Sequence, residues 1–514
     1  MTVDTIIHRL QRNGTQRPND PAYYVKRNGT WHPTSWGTYL SEVRQAARAL
    51  IALGFEPGGS VTILGFNRPE WVILDLAAMM AGGVAAGIYT TNSPHEVQYI
   101  VENAEASLIL LEDVGQLDKI RQVREELDCL KHVVMMKDND EYDDALSWEA
   151  FMAKGNEVEE SVVDERIGNL KEDDLATLIY TSGTTGPPKG VMLSHLNLAW
   201  TATQSVSMFD LGPTDSTLSY LPLSHIVEQM FTIHSPITVG YQVYFAESGL
   251  MVADNLKEVQ PTILFGVPRV WERFYNGLTA RLGEAEGLKA TIAEWAQKVG
   301  REHLGIRNQG KTPGALLDLQ YKIADRLFYS KVKEAIGFSN VRHGMTGAAP
   351  IAKEILEFFS GLDIPIYEVY GQSEDCGPTS VNRPGATKYG TVGQAFPGTE
   401  VKLGEDGEIL VRGNNVFLGY YKNPEATAED LQDGWLQSGD LGQFDEDGYL
   451  SIIGRKKEII ITSGGKNIAP KNIEAALKNI PLVADAVVIG EQRRFITALV
   501  SLEPEAAAKF AQEN

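Results

Sequence analysis

Cysteine is nearly absent from this chain of 514 residues, which contains only Cys129 and Cys376. Two cysteines so far apart build neither a disulfide framework nor a zinc site, and they fit a reducing compartment. Long apolar runs are also missing, since the longest one, residues 71–88, is broken by Asp75 and by glycines. The N-terminus lacks a basic segment followed by an apolar core. These absences predict a cytoplasmic protein without a signal peptide or a transmembrane segment.

Positive charge is scarce as well. The chain has 46 lysines and arginines against 68 aspartates and glutamates, a formal net charge of -22. Such an acidic chain is not expected to bind nucleic acid or to dock electrostatically on anionic lipid, although peripheral membrane contact stays open. Nucleotide binding remains open too, because local lysines and backbone amides decide it. The composition is that of an ordinary globular protein, long enough for two or more domains, and it leaves the oligomeric state undefined.

What is present in unusual density is glycine, serine and threonine in residues 180–190, which read YTSGTTGPPKG. The apolar residues 175–180 predict a strand that enters this loop. Glycines expose backbone N–H groups to anions, the hydroxyls add donors, and Lys189 adds a positive charge. A Walker A loop is excluded, because two prolines precede the lysine and a predicted strand, residues 191–193, follows it. The pattern predicts a phosphate-binding loop, with an ordinary polar turn as the alternative.

A second motif is Tyr-Gly-Gln-Ser-Glu at residues 370–374, directly after a predicted strand. The tyrosine ring can stack on a purine, and the Ser373 hydroxyl can donate to a phosphate. The Glu374 carboxylate suits Mg²⁺, which prefers carboxylate and phosphate oxygens. Taken alone, this pentapeptide is also compatible with a plain turn at the end of a strand.

Further motifs follow the same logic. Asp440 and Arg455 lie in predicted hairpins, and a carboxylate joined by a guanidinium suits the paired hydroxyls of a ribose. Residues 344–350, GMTGAAP, end another predicted strand with small side chains that let a base or an acyl chain approach the backbone. The alternatives are ordinary hairpin charges for the first pair and tight packing between helix and strand for the second motif.

Together these motifs resemble the adenylate-forming superfamily, which comprises acyl-CoA synthetases, luciferases and peptide-synthetase adenylation domains. Residues 181–190 resemble its phosphate loop, and residues 370–374 its Tyr-Gly-x-Thr-Glu motif, with Ser373 keeping the hydroxyl. Ala348 departs from the pattern, because the family usually has Gly-Gly-Ala-Pro there. The resemblance covers residues 21–507 and is greatest to long-chain fatty-acid–CoA ligases, in particular the bubblegum-type branch.

The resemblance implies a set of site residues. Catalytic roles fall to Thr184, Lys189, His225 and Glu374, with Thr184 and Glu374 as Mg²⁺ ligands. The residues implied to bind ATP or AMP are Thr181, Ser182, Gly183, Thr184, Thr185, Gly186, Lys189, Gly347, Ala348, Ala349, Tyr370, Gly371, Ser373, Asp440 and Arg455. The acyl pocket is implied at His225, Gly266, Val267 and Gly344, the CoA tunnel at Gly464, Gly465 and Lys466, and a hinge at Lys457.

The reaction that the resemblance implies has two steps and uses ATP, Mg²⁺ and CoA. A fatty carboxylate attacks the α-phosphate of ATP to give acyl-AMP and pyrophosphate, and the CoA thiol then displaces AMP after the C-terminal domain has turned. The carboxylate is already a nucleophile, so positioning and electrostatics supply the catalysis. The alternatives are a fatty acyl-AMP ligase that loads a carrier protein, an aryl or medium-chain acid–CoA ligase, and a non-catalytic nucleotide or fatty-acid binding protein.

Alternating strands and helices predict an α/β fold. The predicted elements include a helix at residues 94–104 and strands at residues 61–66, 84–88, 108–111, 343–346, 366–370, 400–403 and 408–412. The N-terminal domain, residues 1–455, is expected to hold two α/β subdomains and, from Gly390, a small β-rich subdomain. A small mobile α+β C-terminal domain, residues 456–514, is expected to follow. A helical insertion at residues 269–336 separates the α/β subdomains. Its apolar residues are expected to face a core, and they are Trp271, Phe274, Leu278, Leu282, Trp295, Leu304 and Leu327.

The end of the chain carries its own prediction. The last lysine, Lys509, lies in residues 503–510, which predict the start of a helix after a strand. The family's adenylation lysine belongs instead to a glycine-flanked loop well beyond the CoA-tunnel motif. The C-terminal domain is therefore expected to be incomplete, with the first half-reaction crippled and the second less affected.

Overall fold

The computed structural model describes residues 3–137, 142–181, 186–463, 466–478, 480 and 482–513. The chain divides into two compact units. Unit 1 comprises Met1–Pro261, Ser373–Gly377 and Gly413–Gln432, and unit 2 comprises Thr262–Gln372, Pro378–Arg412 and Asp433–Asn514. Both units are therefore assembled from segments that are distant in sequence.

The helices are, in chain order, α1 Ile6–Gln16, α2 Trp36–Ala52, α3 Pro69–Met80, α4 Pro94–Ala104, α5 Val114–Val123, α6 Trp148–Lys154, α7 Glu160–Gly168, α8 His195–Met208, α9 Ile226–Gln229, α10 Ser235–Val239, α11 Val252–Val259, α12 Pro268–Gly283, α13 Leu288–Asn308, α14 Ala315–Ala324, α15 Ser330–Ile336, α16 Lys353–Gly361, α17 Pro424–Asp430, α18 Pro470–Lys478 and α19 Pro504–Glu513. Short 3₁₀ turns occur at Arg124–Glu126, Gly155–Glu157, Ser373–Asp375 and Lys456–Glu458, and π-helical turns at Met230–His234 and Asp325–Tyr329.

The strands are β1 Pro21–Arg27, β2 Thr30–Ser35, β3 Ser60–Leu64, β4 Val84–Ile88, β5 Leu108–Leu111, β6 His132–Met135, β7 Leu146–Ser147, β8 Leu175–Thr181, β9 Lys189–Ser194, β10 Ser216–Ser219, β11 Gln242–Phe245, β12 Ile263–Phe265, β13 His343–Thr346, β14 Ile366–Tyr370, β15 Ser380–Val381, β16 Gln394–Ala395, β17 Glu400–Leu403, β18 Glu408–Arg412, β19 Gly419–Tyr420, β20 Leu431–Gln432, β21 Trp435–Phe444, β22 Leu450–Arg455, β23 Ile460–Ile461, β24 Asn467–Ile468, β25 Val483–Ile489 and β26 Thr497–Leu502.

The main sheet of unit 1 has the strand order β19-β9-β8-β4-β3-β5-β6-β7. Strands β8 through β7 in this order run parallel, whereas β9 and β19 are antiparallel additions. Every residue of β3, β4 and β5 is buried, as continuous apolar runs in a covered parallel sheet require. The predicted parallel α/β core is confirmed. The antiparallel edge was not predicted, and it carries Lys189.

A smaller group of strands in unit 1 has the order β10-β11-β1-β2. Its β10, β11 and β1 are parallel, and β2 returns antiparallel to β1 as a hairpin. Helix α4, which lies between β4 and β5 in the chain, shows why local sequence fixes where a helix starts. Ser93 and Glu96 form a capping box, and Pro94 occupies the first turn.

Unit 2 has a parallel trio, β12-β13-β14, extended antiparallel by β15 and β16. The predicted β-rich subdomain is an antiparallel arrangement of β17, β18, β21 and β22. The C-terminal segment adds the hairpins β23–β24 and β25–β26. The helix predicted after a strand at residues 503–510 is α19, which begins at Pro504.

Predicted and observed bounds agree to the residue for β4, α4, β5, β13, β14, β17 and β18. Strand β3 ends two residues before the predicted end at Phe66. In the insertion, Trp271, Leu278 and Leu304 are buried as predicted. The prediction for Leu327 is wrong, because its side chain is 45% exposed. No helix in the described ranges combines the length and apolarity needed to cross a membrane.

Candidate active site

The predicted phosphate loop connects β8 to the antiparallel β9, with Thr181 opposite Lys189. Ser182, Gly183, Thr184 and Thr185 lie outside the described residues. Gly186 has a φ of +98°, and a Cβ there would meet nothing within 4 Å. Glycine is therefore needed at this position for its left-handed backbone and not for space, which is the property expected of a turn that exposes N–H groups.

Lys189, the first residue of β9, lies among side chains from a distant segment. Its Nζ is 4.4 Å from the centre of the Tyr420 ring and 3.6 Å from Asp430 Oδ2. Tyr420 reaches it because β19 pairs with β9, which sets Tyr420 opposite Val191. The Tyr420 N–H also donates to Thr427 Oγ1 at 2.8 Å, which holds α17 and its last residue, Asp430, beside β19.

Glu374 belongs to the same group. It lies in the 3₁₀ turn Ser373–Asp375, is 8% exposed, and its backbone C=O accepts the Phe417 N–H at 2.8 Å. The Tyr420 hydroxyl lies 2.8 Å from Glu374 Oε1 and 2.9 Å from Asp430 Oδ2. Lys189, Glu374, Tyr420 and Asp430 therefore form one cluster in unit 1, called here the charge cluster.

The tyrosine in this cluster is held as a hydrogen-bond donor. Burial, followed by the nearby Glu374 and Asp430 carboxylates, raises the pKa of Tyr420 far above its ordinary value. The phenol therefore keeps its proton and shares it between two acceptors. Tyr420 and Asp430 were both missed by the sequence reasoning, because their place beside Lys189 depends on pairing between distant strands and on no local motif.

Asp440 and Arg455 are brought together in unit 2 as predicted. They face each other across β21 and β22, with Arg455 Nη1 3.5 Å from Asp440 Oδ1. The Tyr370 hydroxyl, at the end of β14, donates to Asp440 Oδ2 at 2.8 Å. Burial raises the pKa of Asp440, although Arg455 and Tyr370 act in the opposite direction. These three residues are called here the nucleoside cluster.

Gln372 and Ser373, which follow Tyr370 closely in the chain, belong to different units. Gln372 remains in unit 2 and donates from Nε2 to the Ser438 carbonyl at 3.4 Å, whereas Ser373 belongs to unit 1 and is 6% exposed. Tyr370 was predicted to act through its ring face. The structure adds a second role, since its hydroxyl also orients the Asp440 carboxylate.

The backbone at residues 344–350 shows why the family usually has glycine where this chain has Ala348. Ala348 has a φ of +67°, in the left-handed region where a Cβ causes strain. A glycine there would remove this strain, so the family's glycine has a conformational reason. Gly347 is required for a different reason, since a Cβ on it would lie 2.7 Å from the Val369 carbonyl oxygen. Ala349 is exposed beside it.

Two of the predicted pocket residues, Gly266 and Gly344, lie close to Trp271. A Cβ on Gly266 would lie 3.0 Å from Trp271 Nε1, and a Cβ on Gly344 would lie 2.8 Å from the Pro365 carbonyl oxygen and 3.1 Å from the Trp271 ring. Val267 precedes the first residue of α12. This closeness favours the packing alternative that was open for Gly344, and the contact of Gly266, Val267 and Gly344 with an acyl chain stays a prediction.

His225 caps α9. Its Nδ1 accepts the Val227 N–H at 3.2 Å, and burial lowers the pKa of the imidazole. The ring is therefore neutral with its proton on Nε2, which makes that edge a hydrogen-bond donor. The cap alone accounts for the residue's place in the fold, and the donor is available for a carboxylate.

Of the residues predicted for the hinge and the CoA tunnel, Lys457 lies in the 3₁₀ turn Lys456–Glu458, directly after β22. Its neighbour Lys456 is fixed by Asp406 at 2.5 Å and Glu408 at 2.9 Å. The Lys466 N–H donates to Thr462 Oγ1 at 3.1 Å in the β23–β24 hairpin. Gly464 and Gly465 lie outside the described residues, as does the Lys509 side chain.

The described side chains fit a Mg²⁺ ion that arrives bound to the phosphates of a substrate. In the part of the chain that the structure describes, no group of three or more His, Cys, Asp or Glu side chains could hold a metal. Mg²⁺ is commonly held by only one or two protein carboxylates together with substrate phosphates. The buried Glu374 carboxylate meets that requirement.

Comparison with known proteins defines the class to which these clusters belong. The family model for AMP-binding enzymes matches residues 10–421, and that for the AMP-binding enzyme C-terminal domain matches residues 457–514. The chain belongs to the AMP-binding enzymes, which confirms the superfamily predicted from the motifs.

Individual relatives narrow the resemblance. The chain is 40% identical to the long-chain-fatty-acid–CoA ligase ACSBG2 of Xenopus laevis, over 97% of this chain and 69% of that protein. It is 38% identical to the human long-chain-fatty-acid–CoA ligase ACSBG1, over 97% of this chain and 70% of that protein. The predicted resemblance to the bubblegum-type branch is confirmed.

Solved structures agree on the fold. The anthranilate CoA ligase AuaEII in complex with anthranoyl-AMP superposes with a TM-score of 0.74 at 23% identity, covering 98% of this chain and 87% of that one. A fatty acyl CoA synthetase of Mycobacterium tuberculosis gives 0.69 at 21% identity, covering 98% and 89%. The predicted α/β fold, with a large N-terminal and a small C-terminal domain, is confirmed.

Proposed function

We propose that this chain is a long-chain fatty-acid–CoA ligase that forms acyl-AMP from ATP and then acyl-CoA. The observation that carries the proposal is the charge cluster, which links Lys189 of the phosphate-loop motif to Glu374 of the second motif through Tyr420. A lysine and a buried carboxylate brought together from distant segments suit the handling of phosphates. The relatives at about 40% identity support the same reaction.

In this proposal Lys189 leaves Asp430 to pair with a phosphate of ATP, where its charge offsets the negative charge that builds on pyrophosphate. Glu374 holds Mg²⁺, which supplies further positive charge to the phosphate oxygens when it is bound. Tyr420 keeps the Glu374 carboxylate oriented through its hydroxyl. Thr184 and its neighbours in the loop complete the phosphate contacts.

The residues proposed to bind the nucleoside part of ATP form the nucleoside cluster. Asp440 accepts hydrogen bonds from ribose hydroxyls, and Arg455 keeps its carboxylate charged. The Tyr370 ring stacks on adenine while its hydroxyl remains on Asp440. The small residues Gly347 and Ala348 leave room for the base.

The remaining proposed roles concern the substrate carboxylate, CoA and the hinge. His225 donates from Nε2 to the substrate carboxylate, and the chain uses Gly464, Gly465 and Lys466 to bind CoA. The domain boundary lies between residues 455 and 456, and the C-terminal domain turns about Lys457. Lys456 would anchor the fixed side of that hinge through Asp406 and Glu408. A cytoplasmic location accompanies the proposal.

An exchange assay tests the first step. The chain is incubated with ATP, Mg²⁺, labelled pyrophosphate and one acid at a time, and the label entering ATP is measured. Exchange that requires hexadecanoate supports the proposal, and faster exchange with benzoate favours an aryl-acid ligase. Absence of acid-dependent exchange together with ATP binding favours a non-catalytic binding protein.

A second assay isolates the acceptor. Pre-made hexadecanoyl-AMP is offered with CoA or with a phosphopantetheinylated carrier protein, and the thioester product is measured. Faster transfer to CoA supports the proposal, whereas transfer to the carrier protein alone makes the chain an acyl-AMP ligase. This assay bypasses adenylation, so it reads the second step even where the first step is slow.

A further inference from the structure

Four apolar side chains lie exposed in a row on α14 and on the π-helical turn that follows it. Leu316, Leu319, Ile323 and Leu327 are 72%, 56%, 44% and 45% exposed. Their spacing of three, four and four residues places them on one face of the helix. These four residues are called here the exposed stripe.

The same helical segment has a separate inward face. Leu317, Ala324 and Phe328 are at most 9% exposed, and Tyr321 stacks on His303 of α13 with ring centres 4.0 Å apart. A helix that packs only on its own domain needs one apolar face. Single exposed leucines are ordinary, but a contiguous second apolar face marks a surface for interaction.

Charge around the stripe is opposite in sign to that of the whole chain. Residues 307–336 contain six lysines and arginines against two aspartates and one glutamate, although the net charge of the chain is -22, and one of these lysines, Lys333, pairs with Asp363. Asp318 pairs with Lys322 at 2.8 Å, and Asp325 accepts the Ser330 hydroxyl at 2.9 Å. The Lys322 side chain is 69% exposed, and Arg326 and Lys331 are exposed as well.

We propose that the exposed stripe docks α14 on the surface of an anionic phospholipid bilayer. An apolar helix face with basic residues at its side is the pattern that lies in the headgroup boundary, with the apolar side chains buried among acyl chains and the cations near lipid phosphates. The negative net charge that was expected to prevent such docking is a property of the whole chain. Because screening limits electrostatics to about 8 Å, the local charge decides at contact.

The inference rests on the proposed function in one respect, which is the use of a long-chain acid as the substrate. Long-chain acids partition into bilayers, so a ligase docked there meets its substrate where that substrate is concentrated. Vesicle binding itself needs no catalysis. Acid-dependent pyrophosphate exchange therefore tests the ligase assignment, and vesicle flotation tests docking, so that the failure of one is distinguished from the failure of the other.

Flotation with vesicles tests the docking. The full chain is mixed with vesicles of phosphatidylcholine containing roughly one third phosphatidylglycerol, and with vesicles of phosphatidylcholine alone. The wild-type chain should bind the anionic vesicles about tenfold more strongly than the neutral ones, and the preference should fade in high salt. Leu319→Glu combined with Ile323→Glu should reduce the binding at least about tenfold.

Matched controls separate docking from general damage. Leu250 is 95% exposed and lies in unit 1, so Leu250→Glu adds one negative charge away from the stripe, half of what the double variant adds, and should leave vesicle binding unchanged. Lys322→Glu should weaken binding to the anionic vesicles. Lys257 forms a similar exposed helix pair with Asp254, so Lys257→Glu is the matched control and should bind as the wild type does. Thermal unfolding of each variant should match that of the wild type, because the altered side chains are exposed.

Substrate delivery gives a second reading. The double variant should activate hexadecanoate presented in vesicles more slowly than the wild type does, and should activate soluble octanoate at the wild-type rate. Equal vesicle binding of the double variant and the wild type would overturn the proposal, as would absence of wild-type binding. A lipid-free dimer that the double variant abolishes would also overturn it, by assigning the stripe to a second copy of the chain.

Discussion

The charge cluster and the nucleoside cluster are built in opposite ways. The four residues of the first come from β9, a 3₁₀ turn, β19 and the end of α17, and the other three are all distant in sequence from Lys189. In the second, Asp440 and Arg455 face each other in adjacent strands, and one tyrosine from a strand end completes the group. The first depends on tertiary assembly, whereas the second is mostly the property of one strand pair.

Their electrostatics differ as well. The charge cluster places two carboxylates on one phenol and a lysine beside that phenol, an excess of negative charge that suits a phosphate chain carried together with Mg²⁺. The nucleoside cluster holds one carboxylate between a guanidinium and a hydroxyl, which suits neutral ribose hydroxyls. Changes in the charge cluster are therefore expected to slow chemistry, and changes in the nucleoside cluster to weaken nucleotide binding.

The largest effect is expected from Glu374→Gln. Removing the charge that Glu374 offers to Mg²⁺ should slow acid-dependent ATP–pyrophosphate exchange about 100-fold or more and leave the fold intact, because the amide occupies the same space. Glu425→Gln, at an exposed position in the first turn of α17, is the control and should exchange normally. Near-normal exchange by Glu374→Gln would mean that the charge cluster does not serve phosphates.

Asp440→Ala tests the other half of the comparison. The change strands the Tyr370 hydroxyl and removes the ribose acceptor, so ATP affinity measured by calorimetry should fall about tenfold or more. Asp447→Ala, in the exposed turn between β21 and β22, should bind ATP as the wild type does. An unchanged ATP affinity for Asp440→Ala rejects the nucleoside role.

Tyr420→Phe sharpens the comparison, because it keeps the ring beside Lys189 and removes only the hydroxyl. The turnover number should fall about tenfold, and half-maximal exchange should require more Mg²⁺, since hydrogen bonds to charged groups are worth about 1.5–3 kcal/mol. ATP affinity should change little, in contrast to Asp440→Ala. Tyr421→Phe is the neighbouring control, and an unchanged Mg²⁺ requirement in Tyr420→Phe would leave the phenol a packing role only.

Ala348→Gly should have the smallest effect, on stability rather than on catalysis. Glycine relieves the left-handed strain at Ala348, whereas at Ala352, with φ of -70°, it only adds freedom to the unfolded chain. In denaturant unfolding, Ala348→Gly should therefore be more stable than Ala352→Gly by about 1–2 kcal/mol. Equal stability of the two variants would show that the positive φ carries no strain.

The limits of sequence reasoning follow the same division. Strands such as β4 and β14 were predicted to the residue, because each is a short apolar run bounded by turn residues. The pairing of Asp440 with Arg455 was accessible, since both positions carry recognisable motifs. Tyr420 and Asp430 could not be found, because the pairing of β19 with β9 joins segments with no local signal. Leu327 was predicted to be buried because helical spacing does not distinguish an inward apolar face from an outward one.

One competition experiment tests the central assignment most directly. The chain is given ATP, Mg²⁺, CoA and equal concentrations of hexadecanoate, octanoate and benzoate, and the acyl-adenylates and acyl-CoA thioesters are identified by mass spectrometry. The account predicts that products of hexadecanoate dominate and include hexadecanoyl-CoA. Products of benzoate as the main species, or no adenylate and no thioester from any acid, would contradict it.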